Sequence, residues 1–457
     1  MVLGASTDTI VAIATGAGEA GVGIVRLSGS HSIAIAKQLA CENLTPRHAH
    51  YCEIKDTAGE ALDQGLVITF PGPRSFTGED TAEIQCHGSP VLLELLVQTC
   101  VSLGARYANP GEFSQRAFLN GKMDLAQAEA VADLISSGSE AAMRSASKSL
   151  RGQFSEKIDS ISEELIGLRV YLESAIDFPE EEIDFLSDPA IVDRMDALRA
   201  LLARTLEAAH RGRALHRGLK LVIAGAPNAG KSSLMNQLVE QNSSIVTEQA
   251  GTTRDLVRER LTLDGLPVEI VDTAGIRQAQ DVIEKEGIRR AQQEIQTADR
   301  ILIVVDDQDS PDGDYLKPFE HAGIANLLAD IPTVIVRNKC DLSGRPYGLR
   351  GSDDSIEVSI SAKSGAGIDL LRTHLLSTAG FDDGVYSEFS ARARHVSALE
   401  ATLNCVESAL QQITLQGAGE LAAEDLRRGQ EYLAEIVGRY TTDDLLGEIF
   451  SRFCIGK

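Results

Sequence analysis

The chain has 457 residues, a net charge of −24 and no tryptophan. At that length it holds about three domains, and the acidic balance excludes a broadly basic coat for nucleic acid. Its 7 cysteines are scattered without C-x-x-C spacing, which points to reduced thiols rather than a disulfide frame or zinc site. No run approaches the roughly 18 apolar residues of a membrane span, and the N-terminus lacks a signal-peptide pattern, so a soluble, cytoplasmic protein is expected.

Residues 1–122 mix short strands, Ile10 to Ala14 and Gly23 to Leu27, with glycine turns and a helix from Pro90 to Leu103, the pattern of an α+β domain. From 123 to 216 a helical period takes over: Ile158, Ile161, Leu165, Leu168 and Leu172 form one apolar stripe. Pro179, inside the acidic run Asp177 to Asp184, is expected to end that helix, since proline has no N–H to donate. His210, Arg211, Arg213, His216, Arg217 and Lys220 then gather ahead of the next block, as a small basic patch or a solvated helix end. Residues 217–380 alternate strands and helices, which predicts a doubly wound α/β sheet. Between 381 and 457 the stripe returns at Val396, Leu399, Leu403, Val406, Leu410 and Ile413. Matching stripes on both sides predict one all-α domain into which the α/β block is inserted; the runs are too short to require a coiled-coil seam.

The α/β block carries the chemistry. Gly225-Ala-Pro-Asn-Ala-Gly-Lys-Ser232 fits G-x-x-x-x-G-K-[ST], follows the strand Leu221 to Ala224 and opens a helix. Its glycines let the backbone of Asn228, Ala229, Gly230, Lys231, Ser232 and Ser233 turn N–H groups toward phosphate at a helix N-terminus. Lys231 should reach the outer phosphates, and Ser232 should place its hydroxyl on Mg²⁺. Asp272-Thr-Ala-Gly275 ends a second apolar strand, with Asp272 toward Mg²⁺ and the Gly275 N–H toward the γ-phosphate. Asn338-Lys339-Cys340-Asp341 follows the strand Thr333 to Arg337. The Asp341 carboxylate can accept from guanine N1–H and N2–H₂, Asn338 would brace the loops, and Ser361, Ala362 and Lys363 would close over the base. Gly251-Thr-Thr-Arg-Asp255 offers Thr253 to the Mg²⁺ shell. Five motifs in this order describe a Ras-like P-loop domain that binds GTP.

Hydrolysis is less direct. Where Ras-like enzymes place a water-orienting glutamine after Asp-x-x-Gly, this chain has Ile276. A distant carboxylate, a partner's arginine or a bound cation must replace it. Oxygens of Asn228, Thr247, Thr252 and the Gln249 backbone could hold a monovalent ion beside the phosphates; Asn228 equally reads as a turn residue. Glu284 could orient water, or stand as a solvated helical glutamate.

Outside the α/β block stand Gly21-Val-Gly-Ile-Val-Arg-Leu-Ser-Gly29, Ser75-Phe-Thr-Gly-Glu-Asp80, Glu83-Ile-Gln-Cys-His-Gly88, Pro110-Gly-Glu-Phe-Ser-Gln-Arg-Ala-Phe-Leu-Asn-Gly-Lys122, Asp124-Leu-Ala-Gln-Ala-Glu-Ala130 and Phe453-Cys-Ile-Gly-Lys457. With the inserted domain, these resemble the MnmE (TrmE) family of tRNA modification GTPases over essentially the whole chain. Ser89 departs from the family, which commonly has a second glycine there. The resemblance implies a homodimer that works with a flavin-dependent MnmG-type partner, as a heterotetramer, on the wobble uridine of tRNA. It implies transfer of a one-carbon unit from 5-formyl-tetrahydrofolate or a related folate. Arg26, Glu83, Lys122 and Lys457 match the family's folate positions, although unaided each reads as a surface ion-pair residue. The resemblance further implies potassium at Asn228, Thr247, Gln249 and Thr252, activation by pairing of the GTPase domains, and Glu284 as the catalytic residue. Cys454 reads as an ordinary small residue. A ribosome-assembly GTPase is the alternative reading; it would share the phosphate loop and the Gly-Thr-Thr-Arg motif.

Overall fold

The computed structural model describes residues 8–177, 189–240, 257–272, 292–308, 331–352, 355–381, 388–439, 443–451 and 453–456. The chain divides into two units, one of Met1–Ile135, Ser149–Arg199 and Ala401–Lys457, the other of Ser136–Lys148 and Ala200–Glu400.

The first unit begins with β1 (Ile10–Ile13), β2 (Ala20–Ser28), α1 (Ser32–Leu39), β3 (His50–Lys55), β4 (Ala61–Phe70), β5 (Thr81–Gly88), α2 (Pro90–Ser102) and β6 (Arg106–Tyr107). They form a six-stranded sheet in the order β3-β4-β5-β2-β1-β6, in which only β1 and β6 run parallel. Alternation along the strands sets the two faces. Val25, Leu27, Ile84 and Val67 point into a core shared with Leu39, Leu96 and Val97 of α1 and α2. The opposite face carries Arg26 directly across from Glu83, and packs Ile10 and Ala12 on Phe113 of α3 (Glu112–Leu119). Ser89 sits at φ −77° before α2, a conformation open to any residue, so the family's glycine is not needed there.

Next come α4 (Leu125–Ser136), α5 (Glu140–Leu150), α6 (Gln153–Asp177) and α7 (Pro189–Arg217). The predicted stripe of α6 is buried throughout, from Ile158 to Leu172. The expected break at Pro179 lies outside the described residues.

The second unit is built on β7 (Leu219–Gly225), α8 (Lys231–Glu240), β8 (Val257–Leu263), β9 (Leu266–Asp272), β10 (Arg300–Asp306), β11 (Thr333–Asn338), α9 (Cys340–Ser343), β12 (Gly348–Ser352), β13 (Ser355–Ser359) and α10 (Ile368–Thr378). Its seven-stranded sheet runs β12-β13-β11-β10-β7-β9-β8, with a parallel centre and antiparallel edges at β8 and β12. The central strands are near-continuous apolar runs, as a sheet covered on both faces requires. The chain moves from β7 to β9 on one side and then to β10 on the other. At such a switch, the carboxyl ends of the strands open a crevice for ligands. Ser139, just before α5, donates to the Gly265 carbonyl at 2.6 Å in the β8–β9 turn, and Ala141 and Ala142 join this unit's core.

The chain continues through α11 (Ala393–Gln411), a π-helical turn (Gln412–Gln416), α12 (Gly419–Val437) and α13 (Asp443–Ser451). On α11 and the turn, Val396, Leu399, Val406 and Ile413 are buried as predicted, but Leu403 and Leu410 are only half-buried. Thr402 and Ala409 take the inner positions instead. The reason lies at Gly429 of α12. A methyl group there would meet Leu165 of α6 at 3.3 Å and Cys405 and Thr402 of α11 at 3.5 Å, so the close approach favours small residues. The helical stretches before and after the α/β block thus pack together, with Arg169 of α6 donating to Gln430 of α12 at 2.6 Å. Leu446, Ile449 and Phe450 of α13, with Phe453, cover Leu125 and Ala128 of α4. The tail then lies against β1, where Gly456 is so close to the Ile13 carbonyl that a Cβ would meet it at 2.1 Å. No helix of the described residues is long and apolar enough to cross a membrane.

Candidate functional site

At the end of β7 the backbone takes up conformations that few residues tolerate. Gly225 has φ +156°, Asn228 +63° and Gly230 +97°. Asparagine is among the few non-glycine residues at ease in the left-handed region, so the turn reading of Asn228 holds. Its carboxamide is also exposed, where it can serve as an oxygen donor. A Cβ on Gly230 would meet the Asn338 Nδ2 at 2.1 Å, so only glycine fits. Lys231 folds back over the loop, donating to the carbonyls of Gly225 (2.9 Å) and Ala226 (3.0 Å). Burial pushes its ammonium below the ordinary lysine range, opposed by the negative charge of Asp272. Asp272 is buried at the end of β9, while Ser232 and Ser233 are exposed in the first turn of α8.

Asn338 joins the phosphate loop to the base loops. Its Nδ2 donates to the Ala229 carbonyl at 2.9 Å, and its Oδ1 accepts from the Ala362 N–H at 2.9 Å. The bracing role predicted for it is present as two hydrogen bonds in a buried setting. Ser361 is fully buried and closes a turn: its N–H donates to the Ala366 carbonyl, and the Gly365 N–H donates to its own, each at 2.9 Å. Lys363 is exposed beyond it. Lys339, at φ +65°, pairs with Asp306 at 2.6 Å, and Asp341 is exposed in α9. Thr247, Gln249, Thr252, Thr253, Gly275 and Glu284 lie outside the described residues, as does Lys457.

The structure adds a charged cluster beneath these loops that no motif announced. Asp307, 3% exposed, accepts from Ser343 Oγ (2.5 Å), Arg345 Nε (2.8 Å) and Arg337 Nη1 (3.4 Å). Arg337 also pairs with Glu357 at 2.6 Å. Burial alone would raise the Asp307 pKa; the hydrogen bonds from Ser343 and Arg345 and the arginine charges bring it below the ordinary range. Adjacent acids meanwhile take up much of the basic cluster before β7. Arg217 pairs with Asp299 and Lys220 with Glu294, each at 2.8 Å, and His210 lies 3.7 Å from Glu400. That arrangement favours the helix-end reading over a basic patch.

A second candidate site lies on the first unit's sheet. Arg26 pairs with Glu83 across β2 and β5 at 2.9 Å, with its guanidinium 5.6 Å from the Phe76 ring centre and 5.9 Å from that of Phe113. Lys122 Nζ donates to the Pro73 carbonyl at 3.0 Å. The loop between β4 and β5 therefore touches two of the three cations predicted for this site, Arg26 through Phe76 and Lys122 through Pro73. That loop is tied down in turn. Thr77 Oγ1 and Ser28 Oγ share a hydrogen bond at 2.7 Å, Ser28 donates to Glu79 at 2.7 Å, and Asn120 donates to the Thr77 carbonyl at 2.7 Å. Under it Arg116, 4% exposed, pairs with Asp8 (2.7 Å), Glu112 (2.9 Å) and Glu79 (3.0 Å). Cys454, in the tail, is exposed, and its carbonyl accepts from the Gly111 N–H at 3.4 Å.

Comparison with known proteins agrees with this layout. Residues 9–122 match the family described as GTP-binding protein TrmE N-terminus, and residues 125–454 match the MnmE helical domain. The tRNA modification GTPase MnmE of Pseudomonas paraeruginosa is 50% identical over 461 residues, covering 99% of this chain and 100% of its own. That of Pseudomonas savastanoi pv. phaseolicola is 51% identical over 456 residues, covering 98% and 99%. The Pseudomonas putida protein of the same name gives the same identity and coverage.

Proposed function

The chain belongs to the MnmE family of tRNA modification GTPases and is a GTP hydrolase; from that premise we propose that hydrolysis drives modification of a tRNA wobble uridine at ring carbon five. The observation that carries the nucleotide half of this reading is Asn338, whose carboxamide links the phosphate loop at Ala229 to the base loop at Ala362. Phosphate and base are thereby read by one connected frame. Asp341 accepts from guanine N1–H and N2–H₂, which adenine does not offer. Lys231 leaves its loop carbonyls to meet the outer phosphates, whose charged oxygens are stronger acceptors for an ammonium than neutral carbonyls are.

The donor set at this site is hard oxygen, the kind that suits Mg²⁺. The Ser232 hydroxyl and Asp272 would hold it, with Thr253, and its charge would offset that of the phosphates. Asn228, with Thr247, Thr252 and the Gln249 carbonyl, would hold potassium and supply the charge that an arginine finger supplies elsewhere. Glu284 would orient the attacking water in place of the missing glutamine. Paired GTPase domains of a homodimer would complete the site.

The N-terminal unit, in this reading, binds the folate one-carbon donor. The Arg26–Glu83 pair, Lys122 and the exposed Phe76 ring fit a ligand that joins a flat heterocycle to a carboxylate tail, with buried Phe113 backing Arg26 from the core. Gly456, one residue before Lys457, is seated on Ile13 at the end of β1, the strand paired with β2, which supports adding that lysine to the set. A flavin-dependent MnmG-type partner would complete the modification on tRNA.

Phosphate release from GTP in potassium and in sodium buffer at equal ionic strength tests the hydrolytic mechanism. Strong stimulation by potassium is expected. Equal rates would remove the cation from the mechanism while leaving the GTPase in place. Calorimetric titration with 5-formyl-tetrahydrofolate tests the other half, with Arg26→Ala expected to abolish binding.

A further inference from the structure

We infer that Asp307 is a positioning residue for guanine recognition, gripping the turn that carries Asp341 from both sides. The inference rests on the reading of Asp341 as the acceptor for the base. Before the turn, the Asp307 N–H donates to the Asn338 carbonyl at 3.0 Å. After it, the Asp307 carboxylate takes the hydroxyl of Ser343, the last residue of α9, at 2.5 Å, and Arg345 Nε at 2.8 Å. Asp341 stands between these anchors, exposed and without a side-chain partner among the described residues. Its aim is therefore set by the backbone beneath it. A carboxylate that must accept two hydrogen bonds from one base edge tolerates only about 0.5 Å and 10–20° of error.

The cluster makes little sense as a source of stability. Buried ion pairs lose in desolvation much of what they gain in attraction, and apolar replacements of equal volume commonly serve as well. What the cluster supplies is direction. Arg337 connects Asp307 to Glu357 of β13 at 2.6 Å, and Arg345 approaches Glu357 at 4.0 Å, so the charges are fixed against β10, β11 and β13. Asp306, one residue earlier, holds Lys339 at 2.6 Å. The end of β10 thus grips the whole Asn338 to Arg345 segment, whereas the motif itself names only the residues that touch the nucleotide.

The test compares GTP with inosine triphosphate, which lacks the 2-amino group, as substrates of the full chain. Asp341→Ala is expected to abolish the preference for GTP. Ser343→Ala and Asp307→Asn should raise KM for GTP by about tenfold, the equivalent of one misdirected hydrogen bond, and raise KM for inosine triphosphate much less. A loosened or partly unfolded domain would weaken both substrates alike. Parallel rises for the two nucleotides, or an unchanged ratio in folded Ser343→Ala, overturn the positioning role even if Asp307→Asn fails to fold. Should Asp341→Ala keep its preference, the base reading itself falls, and this inference with it.

Discussion

Two loops of this protein, one in each unit, stand on buried ion networks built to opposite plans. Beneath the loop between β4 and β5 the hub is a cation: Arg116 faces Asp8, Glu79 and Glu112, while Arg106 reaches Asp8 and Glu112, each at 2.5 Å. Beneath the turn carrying Asp341 the hub is an anion: Asp307 faces Arg337 and Arg345. The difference matters when a hub is lost. Stranded carboxylates can shed their charge by taking a proton, but a stranded guanidinium cannot. The first network is therefore expected to be sensitive to pH when broken, and the second is not.

The largest effect should come from Arg116→Met, at about 3–5 kcal/mol of the first unit's stability near pH 8, the usual loss when one partner of a buried pair is removed. Three carboxylates would then share the single cation of Arg106, so repulsion among them favours taking up a proton in the folded state. The destabilisation is full where they are ionised and eases as pH falls toward 5. Urea unfolding at both pH values would decide it, and equal losses would mean that Arg116 is not the hub. Asp307→Asn should cost less, about 2–3 kcal/mol, because Glu357 still pairs with Arg337. Its cost should be flat between pH 5 and 8. In the parent protein the Asp307 pKa is depressed, so its contribution is complete above about pH 4 and fades only below that.

Thr77→Val sharpens the comparison on a smaller scale. It removes the hydrogen bond to Ser28 and should cost about 1 kcal/mol. Titration should show weaker folate binding while phosphate release from GTP is untouched. The smallest effect belongs to a pair on the surface. Hydrogen bonds from Arg427 bring the Glu424 carboxyl down to about 2, yet Glu424→Gln should leave the unfolding midpoint unchanged, because water screens exposed pairs. A clear shift there would show that burial is not what gives the two networks their weight in stability.

The two regions also differ in how far the sequence exposes them. The phosphate loop, Asp272 and the Asn338–Asp341 turn are legible because each segment does its chemistry within a few consecutive residues. Even the bracing by Asn338 could be read ahead. Arg26 and Glu83 are 57 residues apart and meet only through the register of β2 with β5, so without the family resemblance nothing marks them. Arg116, Asp8 and Glu79 come from a helix, the chain before β1 and a loop, a combination no local spacing encodes. The inner face of α11 was misjudged at Leu403 and Leu410 because helical period alone does not say where a neighbour's glycine lets the backbones close in. Cys41 and Cys52, scattered in the sequence, are brought side by side by the end of α1 and by β3.

One apolar cluster sets an order of assembly. Leu125 and Ala128 are covered by Leu446, Ile449, Phe450 and Phe453, so this small core joins two distant segments with the whole GTPase domain made in between. At about 5–20 residues per second, the ribosome leaves the early face uncovered for roughly 15–60 s while the later segment is synthesised. The inserted domain has that interval to fold first. A chain released before Leu446 is made keeps the apolar face of Leu125 and Ala128 bare, a mark that chaperones and proteases can read.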